Sequence, residues 1–160
     1  MTTTAAFGWG SSHLDTTPVG EVNLDPAEQL AVQQTLARHA FALDHGDLVA
    51  LEGTLTEDAT WTASIAGEVE QGPFIGRAAI LDLVREAAEA QTEQRRHNLV
   101  NMVFRRAEAD TAVVWAYLML TSNAGGSPTV IATGFYTFTL RHAESEWRIA
   151  QVLVGLDNAA

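Results

Sequence analysis

At 160 residues the chain has room for one domain, and with hydrophobic residues at 47% it can bury a core without covalent staples. It contains no cysteine, which excludes disulfides, thiolate metal sites and cysteine nucleophiles and suits a reducing cytoplasm. A formal net charge of −11 would repel nucleic-acid phosphates and anionic membrane surfaces, and no apolar run approaches the ~18 residues of a membrane span.

Residues 1–24 are rich in Thr, Ser and Gly and carry neither the basic nor the apolar region of a secretory signal. They are expected to form a flexible tail, with the folded domain over 25–160. Asp25-Pro26-Ala27-Glu28 then announces a helix: a capping acid, a proline at the first helical position and an acid in the first turn. Val32, Leu36, Ala40 and Leu43 follow at helical spacing, and Gly46 can end the helix in a left-handed cap. Asp47 can cap a second, short helix on which Leu48, Leu51 and Leu55 recur.

From Ala59 to Ile65, Trp61, Ala63 and Ile65 alternate with Thr60, Thr62 and Ser64, the signature of a strand. Gly67, Gly72, Pro73 and Gly76 punctuate a turn-rich stretch with room for a short hairpin. Ile80, Leu81, Val84 and Ala88 give a third helix from about Arg77 to Ala90. Four long strands follow: His97–Arg106, Thr111–Ser122, Thr129–Leu140 and Trp147–Val154. The second is apolar on both faces and is expected to be central. Helices first and a meander afterwards predict an α+β domain with a mainly antiparallel sheet.

That order, helix, short helix, strand, helix and long meander, resembles the NTF2-like fold. Ala42-Leu43-Asp44-His45-Gly46-Asp47 with Leu55-Thr56-Glu57-Asp58-Ala59-Thr60-Trp61 resembles the opening of its SnoaL-like branch. Gly72 through Ile80, Arg96-His97 with Asn101, Asp110-Thr111-Ala112 and Glu146-Trp147-Arg148-Ile149 resemble the remaining blocks, so the likeness covers about residues 25–155. It implies a cone of curved sheet and helices enclosing an apolar pocket, and a homodimer paired through the outer sheet faces.

The resemblance also implies a site. In scytalone-dehydratase-like members an aspartate at the place of Asp44 faces the cavity and partners a histidine, which here is His97. Such a pair moves protons: the carboxylate orients one ring nitrogen and the other serves as acid or base. Asn101 lies four residues along the same expected strand face, roughly 13 Å away, and could bracket a longer ligand. Trp61, Tyr117 and Tyr136 are candidate pocket residues, the two tyrosines with hydroxyls able to polarise a carbonyl.

The branch's pattern is not met throughout. Leu43 stands where the dehydratases have a tyrosine, and no Asp or Glu occurs between Thr111 and Leu140. The sheet carboxylate of SnoaL-type cyclases and ketosteroid isomerases therefore has no obvious counterpart in the two central strands.

His13, His39, His45, His97 and His142 form no close metal motif, and no glycine-rich phosphate loop follows a strand. No metal or cofactor is expected. The sequence thus points to a cytoplasmic, cofactor-independent dehydratase, cyclase or isomerase acting on an apolar polyketide-like or terpenoid-like molecule in secondary metabolism. Its competitor is a non-catalytic subunit or ligand-binding protein, such as the small subunit of a ring-hydroxylating dioxygenase.

Overall fold

Asp25 starts the first helix by capping it. In the computed structural model, which describes residues 22–158, its carboxylate accepts the backbone N–H of Glu28 at 2.9 Å, satisfying one of the donors a helix start leaves open. Helix α1 runs Pro26–His45 and ends at Gly46, whose φ of 62° gives the left-handed turn expected of a glycine there. Asp47 caps α2, Leu48–Thr54, through the N–H of Ala50. Leu55, expected at the end of that helix, is instead extended (φ −108°, ψ 146°) and opens β1, Leu55–Ile65. Its side chain is fully buried either way, so the apolar spacing could not separate the two states.

The turn-rich stretch does form a hairpin: β2, Val69–Ile75, pairs antiparallel with β1. Helix α3 spans Arg77–Ala90. The meander follows as β3 (Gln94–Ala107), β4 (Thr111–Ala124), β5 (Ser127–Ala143) and β6 (Glu146–Leu156). The six strands make one sheet in the order β2-β1-β6-β5-β4-β3, antiparallel except where β6 runs parallel to β1.

The expectation that β4 is central is corrected: it is next to the edge strand β3. Only one of its faces is buried. Ala112, Val114, Ala116, Leu118 and Leu120 lie under the helices, while Tyr117 and Met119 on the other face are exposed.

Helix α1 is clamped to β6. The Thr35 hydroxyl hydrogen-bonds the Trp147 carbonyl at 2.9 Å, and the Trp147 indole N–H donates to Glu28. Beneath lie Leu36, Leu51, Leu55, Phe138, Leu140 and Ile149, all fully buried. Each contributes roughly 1.5–3 kcal/mol by leaving water. Where β5 passes β6 the backbones come very close: a Cβ on Gly134 would fall 2.0 Å from the Gly155 carbonyl oxygen, far inside van der Waals contact.

Of the expected tail, residues 1–21 lie outside those described. Val22 bridges Ala107, the Asn23 N–H donates to the Ala107 carbonyl at 2.9 Å, and Leu24 is buried. No helix among the described residues is long and apolar enough to cross a membrane.

Candidate functional site

Asp44 sits in the last turn of α1, where the helix dipole disfavours a carboxylate. Two donors from β3 compensate for it. Asp44 Oδ1 accepts the backbone N–H of His97 at 2.9 Å and lies 2.7 Å from His97 Nδ1. The helix end is tied to the same strand again by Gln94, whose side-chain amide donates to the Asp44 carbonyl at 3.0 Å. The pair is shielded: the Asp44 side chain is 8% exposed and that of His97 is 20% exposed.

This geometry fixes the histidine's tautomer. An ionised carboxylate only accepts, so Nδ1 must carry the hydrogen. Nε2 is left over, and it makes no hydrogen bond to any described residue. With the ring neutral Nε2 is a base; once protonated it is an acid. His97 pairs with Leu120 across the strands, which places it on the helix-covered face of the sheet. Both residues of the Asp44–His97 pair border a groove of ≈ 340 Å³ between α1 and β3, walled otherwise mainly by Ala37, Ala40, Phe41, Leu99 and Met102.

Tyr136 lies on the same sheet face as His97, opposite Ala116, and is 6% exposed. Its ring stacks on Phe138 at 4.8 Å. Burial, and secondarily the charge of Asp44, push its hydroxyl's pKa upward, so it stays a proton donor. That hydroxyl makes no hydrogen bond to a described residue.

The other candidates are not brought to the pair. Tyr117, expected in the pocket, is 54% exposed and projects from the opposite face of the sheet. Alternation on β4 dictates this, since Tyr117 falls between the buried Ala116 and Leu118. Asn101, expected on the face of His97, sits in a β-bulge between Val100 and Val103 with φ 52°. The extra residue breaks the alternation and leaves Asn101 exposed. Asparagine tolerates that left-handed backbone better than most residues. Trp61 packs on Phe74 at 5.7 Å against the core and, like Tyr136, does not border the groove.

His39 was not among the expected site residues. Its side chain is buried at 4% exposure, with Nδ1 3.1 Å from the Thr54 hydroxyl and its ring edge-on to Phe138. Burial first, and the neighbouring His97 second, lower its pKa from 6.5 to about 3. A signal was present in the sequence: His39 falls at helical spacing between Leu36 and Leu43, on the apolar stripe of α1. Among the described residues, no three His, Asp or Glu side chains converge as a metal site would require.

Comparison with known proteins agrees with this architecture. Aln2 from a Streptomyces species is 24% identical and superposes with a TM-score of 0.73 over 86% of this chain and 95% of that one. A Catenulispora acidiphila protein solved in complex with S-DNPA is 24% identical, with a TM-score of 0.72 over 83% of this chain and 96% of that one. A Novosphingobium aromaticivorans protein described as a candidate aromatic ring hydroxylase is 28% identical, with a TM-score of 0.66 over 82% of this chain and 90% of that one. No curated protein matches the sequence. The model of the SnoaL-like domain matches residues 27–152, and with the three helices and curved sheet in place the chain belongs to the SnoaL-like family of the NTF2-like fold.

Proposed function

We propose that the protein is a cofactor-independent acid–base enzyme of the cytoplasm, a dehydratase, cyclase or isomerase acting on an apolar polyketide-like or terpenoid-like ketone. The observation that carries this reading is the shielded Asp44–His97 pair, bordering a mainly apolar groove, with Nε2 lacking a partner among the described residues. In the proposed reaction Nε2 removes a proton from the carbon next to a carbonyl. The electron pair moves onto the carbonyl oxygen, where the Tyr136 hydroxyl can donate a hydrogen bond. The imidazolium, held by Asp44, then returns the proton to carbon, or gives it to a β-hydroxyl that leaves as water.

The test needs no natural substrate. Exchange of the α-hydrogens of 2-tetralone for deuterium, followed by NMR, reads the first step. Wild-type protein is expected to accelerate exchange, and His97→Ala to lose about a hundredfold or more of that rate. Exchange unaffected by His97→Ala would refute the reading.

The likeness to a Novosphingobium aromaticivorans protein described as the beta subunit of an aromatic-ring-hydroxylating dioxygenase favours a second reading, a non-catalytic partner of a larger oxygenase subunit. Co-purification of an iron-bearing partner, together with absent exchange, would establish it. We also propose a homodimer, supported by the exposed apolar side chains Val100, Val103, Tyr117 and Met119 on the open sheet face.

A further inference from the structure

The neutral histidine under α1 has a defined direction of hydrogen bonding. Thr54 donates its only hydroxyl hydrogen to the Leu51 carbonyl at 2.7 Å. Towards His39, 3.1 Å away, that oxygen can therefore only accept. His39 Nδ1 must carry the ring's hydrogen, and Nε2 is a bare lone pair. No described residue donates to it.

A buried acceptor without a donor is costly, and native interiors almost always supply one. Among the described residues only Arg148 Nε is a fully enclosed side-chain nitrogen or oxygen lacking a partner. His39 Nε2 and Tyr136 Oη have no partner among the described residues either, yet neither is fully enclosed. The two rings flank one residue: His39 stands edge-on to Phe138 at 6.1 Å and Tyr136 stacks on Phe138 at 4.8 Å. One side of this interior thus offers an acceptor and the other a donor.

We propose that His39 is a hydroxyl-recognising residue, its Nε2 accepting a hydrogen bond from an alcohol, phenol or enol hydroxyl of the substrate. This rests on the acid–base reading above and narrows its substrate class to hydroxylated ketones, with the carbonyl at Tyr136 and the hydroxyl at His39. It also separates the two buried histidines by task. His97 is held by a carboxylate and is the residue that moves the proton. His39 is held by a neutral hydroxyl and acts only as an acceptor.

The test uses two probes, 6-hydroxy-1-tetralone and its methyl ether, with dissociation constants measured by titration calorimetry. The ether has the same skeleton but no hydrogen to give. Wild-type protein is expected to bind the hydroxy compound about tenfold more tightly than the ether. His39→Leu should abolish that preference, and His39→Gln, which keeps an acceptor near the Nε2 position, should retain part of it. No preference in the wild type, no binding of the hydroxy compound, or a preference unchanged in His39→Leu would each overturn the proposal.

A ligand-free measurement covers a variant that folds poorly. Nitrogen-15 NMR of the wild-type imidazole should show Nδ1 protonated and Nε2 bare, and Thr54→Val should let the hydrogen move to Nε2. A wild-type His39 with its hydrogen on Nε2 overturns the proposal. Loss of α-hydrogen exchange with the hydroxyl preference intact would strike the acid–base reading alone.

Discussion

His39 and His97 share an interior but answer to different neighbours, Thr54 for the one and Asp44 for the other. Unfolded, the His39 ring takes up a proton as the pH drops through 6.5, whereas folded it resists until about 3. Between those values the unfolded chain binds more protons, so stability falls as the pH falls, and above 6.5 the contribution is fully present. The whole effect is on the order of 5 kcal/mol, a large share of a typical domain's stability. Urea unfolding of wild type and His39→Leu between pH 7 and pH 4 should show a shallower decline in the variant. Thr54 would keep its bond to Leu51, so leucine strands no donor. At the site, Asp44→Asn should slow α-hydrogen exchange. The amide can offer its oxygen to His97 Nδ1–H, but the charge that stabilises the imidazolium is gone. An exchange rate equal to wild type would deny Asp44 that part.

At the level of elements the most exacting contact is the β5–β6 seam. Gly134→Ala sets a methyl group against the Gly155 carbonyl, and neither backbone can yield without breaking ladder hydrogen bonds. The expected loss is about 1–3 kcal/mol, the usual range for overpacking. A midpoint of urea unfolding within error of wild type would show that the seam can spread. Elements written in local chemistry were legible beforehand. Asp25-Pro26 marked the start of α1, Gly46 its end, and the stripe of α3 its bounds. What depends on distant partners was not. Val113, Trp115, Tyr117 and Met119 are as apolar as the residues between them, so alternation could not say which face of β4 lies inside. Tyr117 and Tyr136 were therefore indistinguishable. The bulge at Asn101 has no marker beyond the asparagine itself. Asp44 and His97 stand in different elements, and only family resemblance suggested that they meet.

The whole molecule presents one covered and one open sheet face. On the open face the Arg105 guanidinium lies 4.0 Å over the Trp115 ring, beside the exposed Tyr117 and Met119. If the proposed homodimer uses this face, Tyr117→Asp should give a monomer by sedimentation velocity while leaving far-UV circular dichroism unchanged. A variant that sediments with the wild-type mass would place any self-association elsewhere.

The parallel pairing of β6 with β1 also governs the order in which the chain can be assembled. Ribosomal synthesis delivers β1 and β2 early and β3, β4 and β5 next, yet the strand that joins these two groups, β6, emerges last. Until then the hairpin and the three-stranded meander each expose an edge that has no cognate partner, the circumstance in which nascent chains aggregate or recruit chaperones. Stalled ribosomes carrying the chain to Ala143 should therefore hold protease-sensitive polypeptide. Protection should arise in one step once Leu156 has cleared the exit tunnel. Stable protection before Glu146 emerges would mean that one of the two groups folds without the strand that joins them.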